Sequence, residues 1–390
     1  MSFFRTSLFA ASAIALAACS SGDAATNDAN ADTAADGDTA AAEVLTSGNY
    51  TLTPVATGLE VPWGMAFLPS GDLLVTEREG RLTLVRDGEN TTVSGTPETL
   101  VDGQGGYLGL LLDPEFETNR TFYMAFSKGT KDSNSTAVYK GVLSADGTEV
   151  TSGEVIYEAT KRNTTYHFGG RLQFMADGTL LVSLGDGFRY MDEAQNTNNT
   201  HGKIVRINTD GTIPTNNPFA DGDAPEVYSY GHRNVQGLYV DPETDTVYAH
   251  EHGPKGGDEF NVIEPGNNYG WPVITYGINY NGTIITEETA RDGMEQPVEK
   301  WVPSIAPSGM IKYTGGAYEG WQGDFFVGAM NGPEGQKLVR LDMEDGEYVG
   351  KEDLLGDLQL PFRDVIQGPD GKLYLAGAQA EDNIYRLDLN

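Results

Sequence analysis

The chain has 390 residues, with 57 Asp and Glu against 25 Lys and Arg, for a formal charge of -32. With no basic surplus to neutralise phosphates, nucleic acid is excluded as a partner, and the field of the whole chain repels polyanionic substrates. Small neutral or cationic ligands remain compatible, and a single cysteine excludes an internal disulfide.

In chain order, the first element is an apolar run from Leu8 to Ala18 behind the lone basic residue Arg5. It is shorter than the roughly 20 residues a membrane-spanning helix needs, so it reads as a secretory signal. It closes on Leu16-Ala17-Ala18-Cys19, which resembles the bacterial lipoprotein signal. On that resemblance residues 1–19 are a signal with Cys19 as the lipidated residue. The protein is then expected in the bacterial cell envelope, at the periplasm or outer membrane, touching the membrane through its lipid only. Residues 20–49 are dominated by Ala, Asp and Thr and lack aromatics. They bury too little apolar surface to offset ordering, and read as a flexible tether with a reach on the order of 30 Å.

From residue 50 to 390 short apolar runs alternate with Gly, Asp, Asn and Pro turns, the pattern of an all-β domain. A strand–turn–strand unit recurs from Met65, Leu110, Leu172, Leu238, Met310 and Val365, with starts about 45 to 70 residues apart. Six such units predict a six-bladed β-propeller of four-stranded antiparallel blades. In a propeller, the loops that enter the inner strands converge at one end of the axis. Gln104, His167, Arg233 with Asn234, and Arg363 all lie in such loops, ahead of the second, third, fourth and sixth units. The stretch from Gly231 to Pro272 is the densest in chemistry, holding three of the five histidines, Arg233, Asn234, Asp258 and Glu259. His201, His232 and His250 read as structural, because their spacing matches no zinc site. Asp186, in a Gly-Asp-Gly turn, reads as a brace for its loop.

The ordered motifs VPWGMAFLPSG, GQGGYLGLLLDP, HFGGRL, GKIVRINTDGTIPTNNPF, YGHRNVQGL, EHGPKGGDEFNVI, GNNYGWP and FRDVIQGPDGKLY resemble the soluble glucose/sorbosone dehydrogenase family, most closely its bacterial aldose sugar dehydrogenases. The resemblance runs from about Ala56 to Leu387. It implies a propeller that uses pyrroloquinoline quinone and calcium to oxidise a small neutral sugar at its anomeric carbon, and then passes electrons to an acceptor the sequence does not identify. It implies His167 as the proton acceptor, a role that suits imidazole. Gln104, Arg233, Asn234, Tyr280 and Arg363 match cofactor-contacting positions. Gly253 and Pro254 match positions whose carbonyls hold calcium, a cation that prefers oxygen ligands. Glu259 and the Tyr269 carbonyl match a further calcium site.

Three positions depart from the family's pattern. Asn331 stands at the cofactor-binding position where a lysine is usual, Pro361 replaces one of two arginines ahead of the last blade, and His252 stands where one branch has glutamine. Lys337, Lys312 and Arg340 are the cations near enough in sequence to compensate. Loss of two cationic partners motivates an alternative, a tethered propeller that binds sugars or envelope glycans without catalysis. A calcium-dependent hydrolase is a third reading, for which the chain offers few axial carboxylates.

Overall fold

The computed structural model describes residues 43–331 and 335–390. Residues 1–42, and with them Cys19, the signal and most of the expected tether, lie outside the described residues.

Six antiparallel sheets are arranged as blades around a common axis. Their innermost strands are Pro62–Phe67, Tyr107–Leu112, Leu172–Phe174, Val235–Val240, Pro307–Lys312 and Phe362–Gln367. Each of the six repeated units contributes one of these strands, because its turn residues return the chain one strand further out. Neighbouring inner strands touch one another around the ring. Central strands are buried on both faces, so each blade feeds two cores. In Leu73–Glu77, Leu74 faces the second blade, whereas Leu73 and Val75 face the sixth. Six apolar clusters result, one between each pair of neighbouring blades.

The ring is closed by its ends. Tyr50–Leu59 pairs with Asp382–Leu389, so the N-terminal strand completes the blade begun by the C-terminal strands. That blade carries a fifth strand, Leu45–Ser47, hydrogen-bonded to Tyr50–Leu52. Residues 45–49 are therefore a hairpin on the sixth blade, not the end of a tether. Leu45 packs on the core shared by the fifth and sixth blades, and the Ser47 hydroxyl donates to Asp357, contacts that the residue composition of the segment does not reveal.

The axis is plugged by Arg171. Its guanidinium lies 4.2 Å over the Trp63 ring, pairs with Asp364 at 2.7 Å and donates to the carbonyls of Gln236 and Arg363. Beyond this plug, toward the strand-exit face, a cavity of about 300 Å³ is lined by Met65, Leu110, Leu172, Leu238 and Met310. On the strand-entry side the loops of all six blades gather.

Candidate active site

The entry loops enclose a polar pocket whose walls include Trp63, Arg78, Gln104, Phe168, Asn234, Gln236, His252, Met330 and Arg363. Of the residues singled out from sequence, Gln104, Asn234 and Arg363 meet here although they come from three blades. His167 adjoins them: its backbone N–H donates to Gln104 Oε1 at 2.8 Å. His167 lies in the left-handed region at φ 52°, a conformation rarely adopted by non-glycine residues and held only where surroundings enforce it. The enforcing contact is close, since a Cβ on Gly185 would lie 2.1 Å from the His167 carbonyl oxygen. Only glycine fits that crossing.

His167 Nδ1–H donates to Asp186 Oδ1 at 2.6 Å. The Asp186 carboxylate also accepts from the Phe188 backbone N–H at 2.7 Å and, through Oδ2, from the Trp271 indole at 2.9 Å. Burial alone would push its pKa up, but the hydrogen bond from His167 and the nearby positive charges outweigh burial and hold it below the usual carboxylate range. Because Asp186 fixes the proton on Nδ1, the other ring nitrogen, Nε2, is a free acceptor, with no hydrogen-bond partner among the described residues. Burial, and next the charge on Arg233, pushes the His167 pKa down, so the ring is neutral at pH 7. Asp186 is thus more than a loop brace. Nineteen residues separate it from His167, and only the fold brings them together.

Arg78 and Arg363 line this pocket, and Arg233 lines a smaller cavity that shares His252 with it. Arg363 makes only long contacts, 3.3 Å to Ser308 Oγ and 3.4 Å to Gln236 Oε1, and its buried Nε–H has no partner among the described residues. Burial, followed by repulsion from Arg171 and Arg78, pushes its pKa down to about 9. Arg78 has only Glu79, at 4.0 Å. Arg233 donates to the carbonyls of His252 and Gly253 at 3.0 and 2.7 Å. Sequence reasoning missed Arg78, which follows the strand Leu73–Glu77 directly and so emerges on the entry face. Lys337, Lys312 and Arg340 do not reach the pocket; they pair with Asp353, Asp241 and Asp324.

A second, smaller cavity beside Arg233 is lined by Glu251, Gly253, Glu259, Tyr269, Trp271 and Thr275 and has about 10 Å³ of free space. That is room for one ion or water. Burial and the neighbouring Glu251 push the Glu259 pKa up to about 8, and its one hydrogen bond is a 3.4 Å contact from Asn261. The carbonyls of Pro254 and Tyr269 accept no backbone hydrogen bond among the described residues, whereas that of Gly253 is taken by Arg233. Asp258 is spent on structure: it accepts from Gly253 N, Ser304 Oγ, Ile305 N and Ala306 N. Among the described residues no group of three His, Cys, Asp or Glu side chains forms a metal-type cluster.

Two residues expected at the pocket are not among its wall residues. Tyr280 is 63% exposed on a surface loop, and Asn331 is exposed, donating to the Ser304 carbonyl. His252 does line the pocket, donating from Nε2 to Pro307 O at 2.7 Å, and burial followed by Arg233 pushes its pKa down to about 3. His232 is held by Glu251 and Ser229, and His201 stacks on Tyr190 at 4.7 Å. His250 is wholly buried, with neither ring nitrogen paired among the described residues.

Comparison with known proteins gives this geometry a lineage. The profile of the Glucose / Sorbosone dehydrogenase family matches residues 59–386. Aldose sugar dehydrogenase YliI of Escherichia coli is 37% identical over 339 residues, covering 84% of this chain and 90% of its own. The apo crystal structure of the soluble aldose sugar dehydrogenase of Escherichia coli superposes with a TM-score of 0.83 at 34% identity, over 87% of this chain and all of the other. A PQQ-bound aldose sugar dehydrogenase from Streptomyces coelicolor gives 0.73 at 27% identity, over 89% of this chain and all of the other. With a propeller of matching topology and a family match that spans most of the ring, this chain belongs to the glucose/sorbosone dehydrogenase family.

Proposed function

We propose that the protein oxidises aldose sugars at the anomeric carbon to lactones, with pyrroloquinoline quinone and calcium. The observation that carries this reading is the His167–Asp186 pair, a neutral imidazole with a free Nε2 beside a pocket lined by Arg78 and by Arg363 with its unpartnered Nε–H. His167 Nε2 takes the proton of the anomeric hydroxyl, and Asp186 steadies the imidazolium that forms. The quinone, when bound, supplies the two-electron acceptor for the hydride that leaves the anomeric carbon.

The residues present suit a tricarboxylate quinone. In a chain of charge -32, Arg78 and Arg363 line one pocket with Arg233 in the cavity beside it, and the orphaned Arg363 Nε–H lacks the acceptor that a carboxylate would provide. Arg78 offsets one of the cations lost at Asn331 and Pro361, which weakens the case for a non-catalytic sugar-binding propeller. Gln104 and Asn234 would add neutral hydrogen bonds. Calcium suits the Glu259 cavity, where a buried carboxylate faces an unused Tyr269 carbonyl in a space of single-ion size. It suits Gly253 less well, because that carbonyl already accepts from Arg233.

The lipoprotein signal ending at Cys19 supports a place in the cell envelope, and no helix among the described residues is long and apolar enough to cross a membrane. Cys19→Ser is expected to move the protein from the membrane to the soluble fraction. The activity is tested by sugar-dependent reduction of a dye by the purified chain. The expected result is reduction that needs both added quinone and added calcium. No reduction with any aldose, under conditions where quinone binding is saturated, would overturn the reading.

A further inference from the structure

One buried cation beside His167 has no part in the chemistry so far. Arg162 is 5% exposed and touches both loops that carry the His167–Asp186 pair. Its Nη1 makes a long contact to the Gly185 carbonyl at 3.4 Å, and its guanidinium lies 4.3 Å over the Phe168 ring. Gly185 precedes Asp186 and Phe168 follows His167, so one planar group meets a chain neighbour of each member of the pair. A Cβ on Gly187 would lie 2.7 Å from Arg162 Cδ, so the turn closes on this side chain from both sides of Asp186. The Arg162 backbone is itself anchored, exchanging hydrogen bonds of 2.8 and 2.9 Å with Asn134 on the strand Ser133–Leu143.

Packing alone does not account for an arginine here. Its Nε and Nη2 are buried without a hydrogen-bond partner among the described residues, and unmet buried donors destabilise a site that an apolar side chain would fill without penalty. What arginine adds is charge. Asp186, the carboxylate that acts on it, accepts hydrogen bonds from His167, Phe188 and Trp271 instead, so the guanidinium has no ion pair to cancel its field. Buried charges are screened little by salt, and a cation at this place favours a carboxylate and disfavours an imidazolium. Burial and Arg233 push the His167 pKa down most, Asp186 opposes them, and Arg162 acts with the first two. His252 is the other titratable group that His167 faces, while Tyr190 and His201 are the others that Arg162 faces.

We propose that Arg162 is a positioning residue for the base: it holds the Gly185-Asp186-Gly187 turn against His167 and biases the pair toward carboxylate and neutral imidazole. This rests on the reading of His167 as the base. The proton that His167 Nε2 takes from the sugar hydroxyl then meets a field that favours its release to water, which returns the ring to its neutral form.

Three variants separate charge from packing. Arg162→Met removes charge and donors, Arg162→Gln keeps donors without charge, and Arg162→Lys keeps the charge. The full chain without quinone, isotopically labelled at histidine, is titrated by NMR, with the His167 signal identified by its loss in His167→Gln. The His167 ring is expected to titrate at higher pH in both neutral variants and near its wild-type position in Arg162→Lys. With quinone and calcium added, the acid limb of kcat/KM is expected to move the same way, so that activity below neutrality falls several-fold more than activity above it. Quinone affinity is expected to stay within a few-fold of wild type, since Arg162 is not on the pocket wall. A His167 titration unmoved in the neutral variants, or moved equally in Arg162→Lys, would overturn the proposal. Failure of both neutral variants to fold would also overturn it, because the residue would then serve stability. A shifted imidazole titration with an unshifted acid limb would leave the role of Arg162 standing and overturn His167 as the base.

Discussion

Two buried carboxylates stand on either side of Arg233 and Trp271, and they are solvated in opposite ways. Asp186 accepts from an imidazole, an indole and a backbone N–H, and is held ionised. Glu259 has one long contact from Asn261 and a like charge beside it, and its pKa is pushed up to about 8. The first corner is complete with protein groups alone. The second has no comparable donors, and about 10 Å³ of free space lies beside it. Two arginines repeat the contrast on the axis: Arg171 has its donors satisfied, whereas Arg363, over the same Trp63 ring, keeps an orphan. Arg171 holds the axis together, whereas the Arg363 Nε–H, at the pocket wall, is placed for a ligand acceptor.

Substitution at the complete corner should have the largest effect on rate. Asp186→Asn leaves a hydrogen-bonding side chain but no charge to fix the tautomer of His167, and kcat is expected to fall about 10²- to 10⁴-fold. Steady-state kinetics at saturating quinone would measure this, and a loss below tenfold would break the distinction between the corners. The arginine pair should separate next. Arg171→Met strands the buried Asp364 carboxylate and is expected to destabilise the fold by about 3–5 kcal/mol. Arg363→Met removes an unpaired cation, so it should cost no stability while weakening quinone binding about 10- to 100-fold. Urea denaturation and fluorescence titration of the quinone report the two quantities separately.

The incomplete corner should respond to calcium and pH. The Glu259 carboxyl is raised from an ordinary 4.5 to about 8, so between those values the folded chain holds a proton that the unfolded chain has lost. Without calcium, the stability this proton confers is present below pH 4.5 and is lost as pH rises through 8. Calcium at about one hundred times its Kd should restore roughly 2.7 kcal/mol, and Glu259→Gln should remove both the pH slope and the calcium response. Thermal melts across pH with and without calcium measure it. The smallest effect concerns the base. With the His167 pKa pushed below its ordinary value by burial and by Arg233, kcat/KM should hold steady near neutrality and fall only as pH drops through the lowered pKa. Arg233→Gln should move that acid limb to higher pH.

The inner strand of every blade was legible in the sequence, because each is followed by a turn and a partner only a few residues away. What the sequence did not reveal depends on distance along the chain. Pairing of Tyr50–Leu59 with Asp382–Leu389 leaves no local signature, and the hairpin from Leu45 looked like tether for the same reason. At the site, Gln104, Asn234 and Arg363 were found because they share a position relative to their blades. Arg78 enters from the far end of a second strand, where no such rule points. Asp186 was visible only as a turn residue until the fold set it against His167. Tyr280 and Asn331, singled out by motif position, are exposed and stand outside the pocket wall.

The central claim is that His167 is the base of a sugar dehydrogenase, and His167→Gln tests it most directly. Dye-linked oxidation of an aldose would be measured beside quinone affinity, with calcium present. We expect turnover to fall by at least about 10²-fold while quinone affinity stays within a few-fold of wild type. Turnover equal to that of wild type in a variant that binds quinone normally would contradict the account.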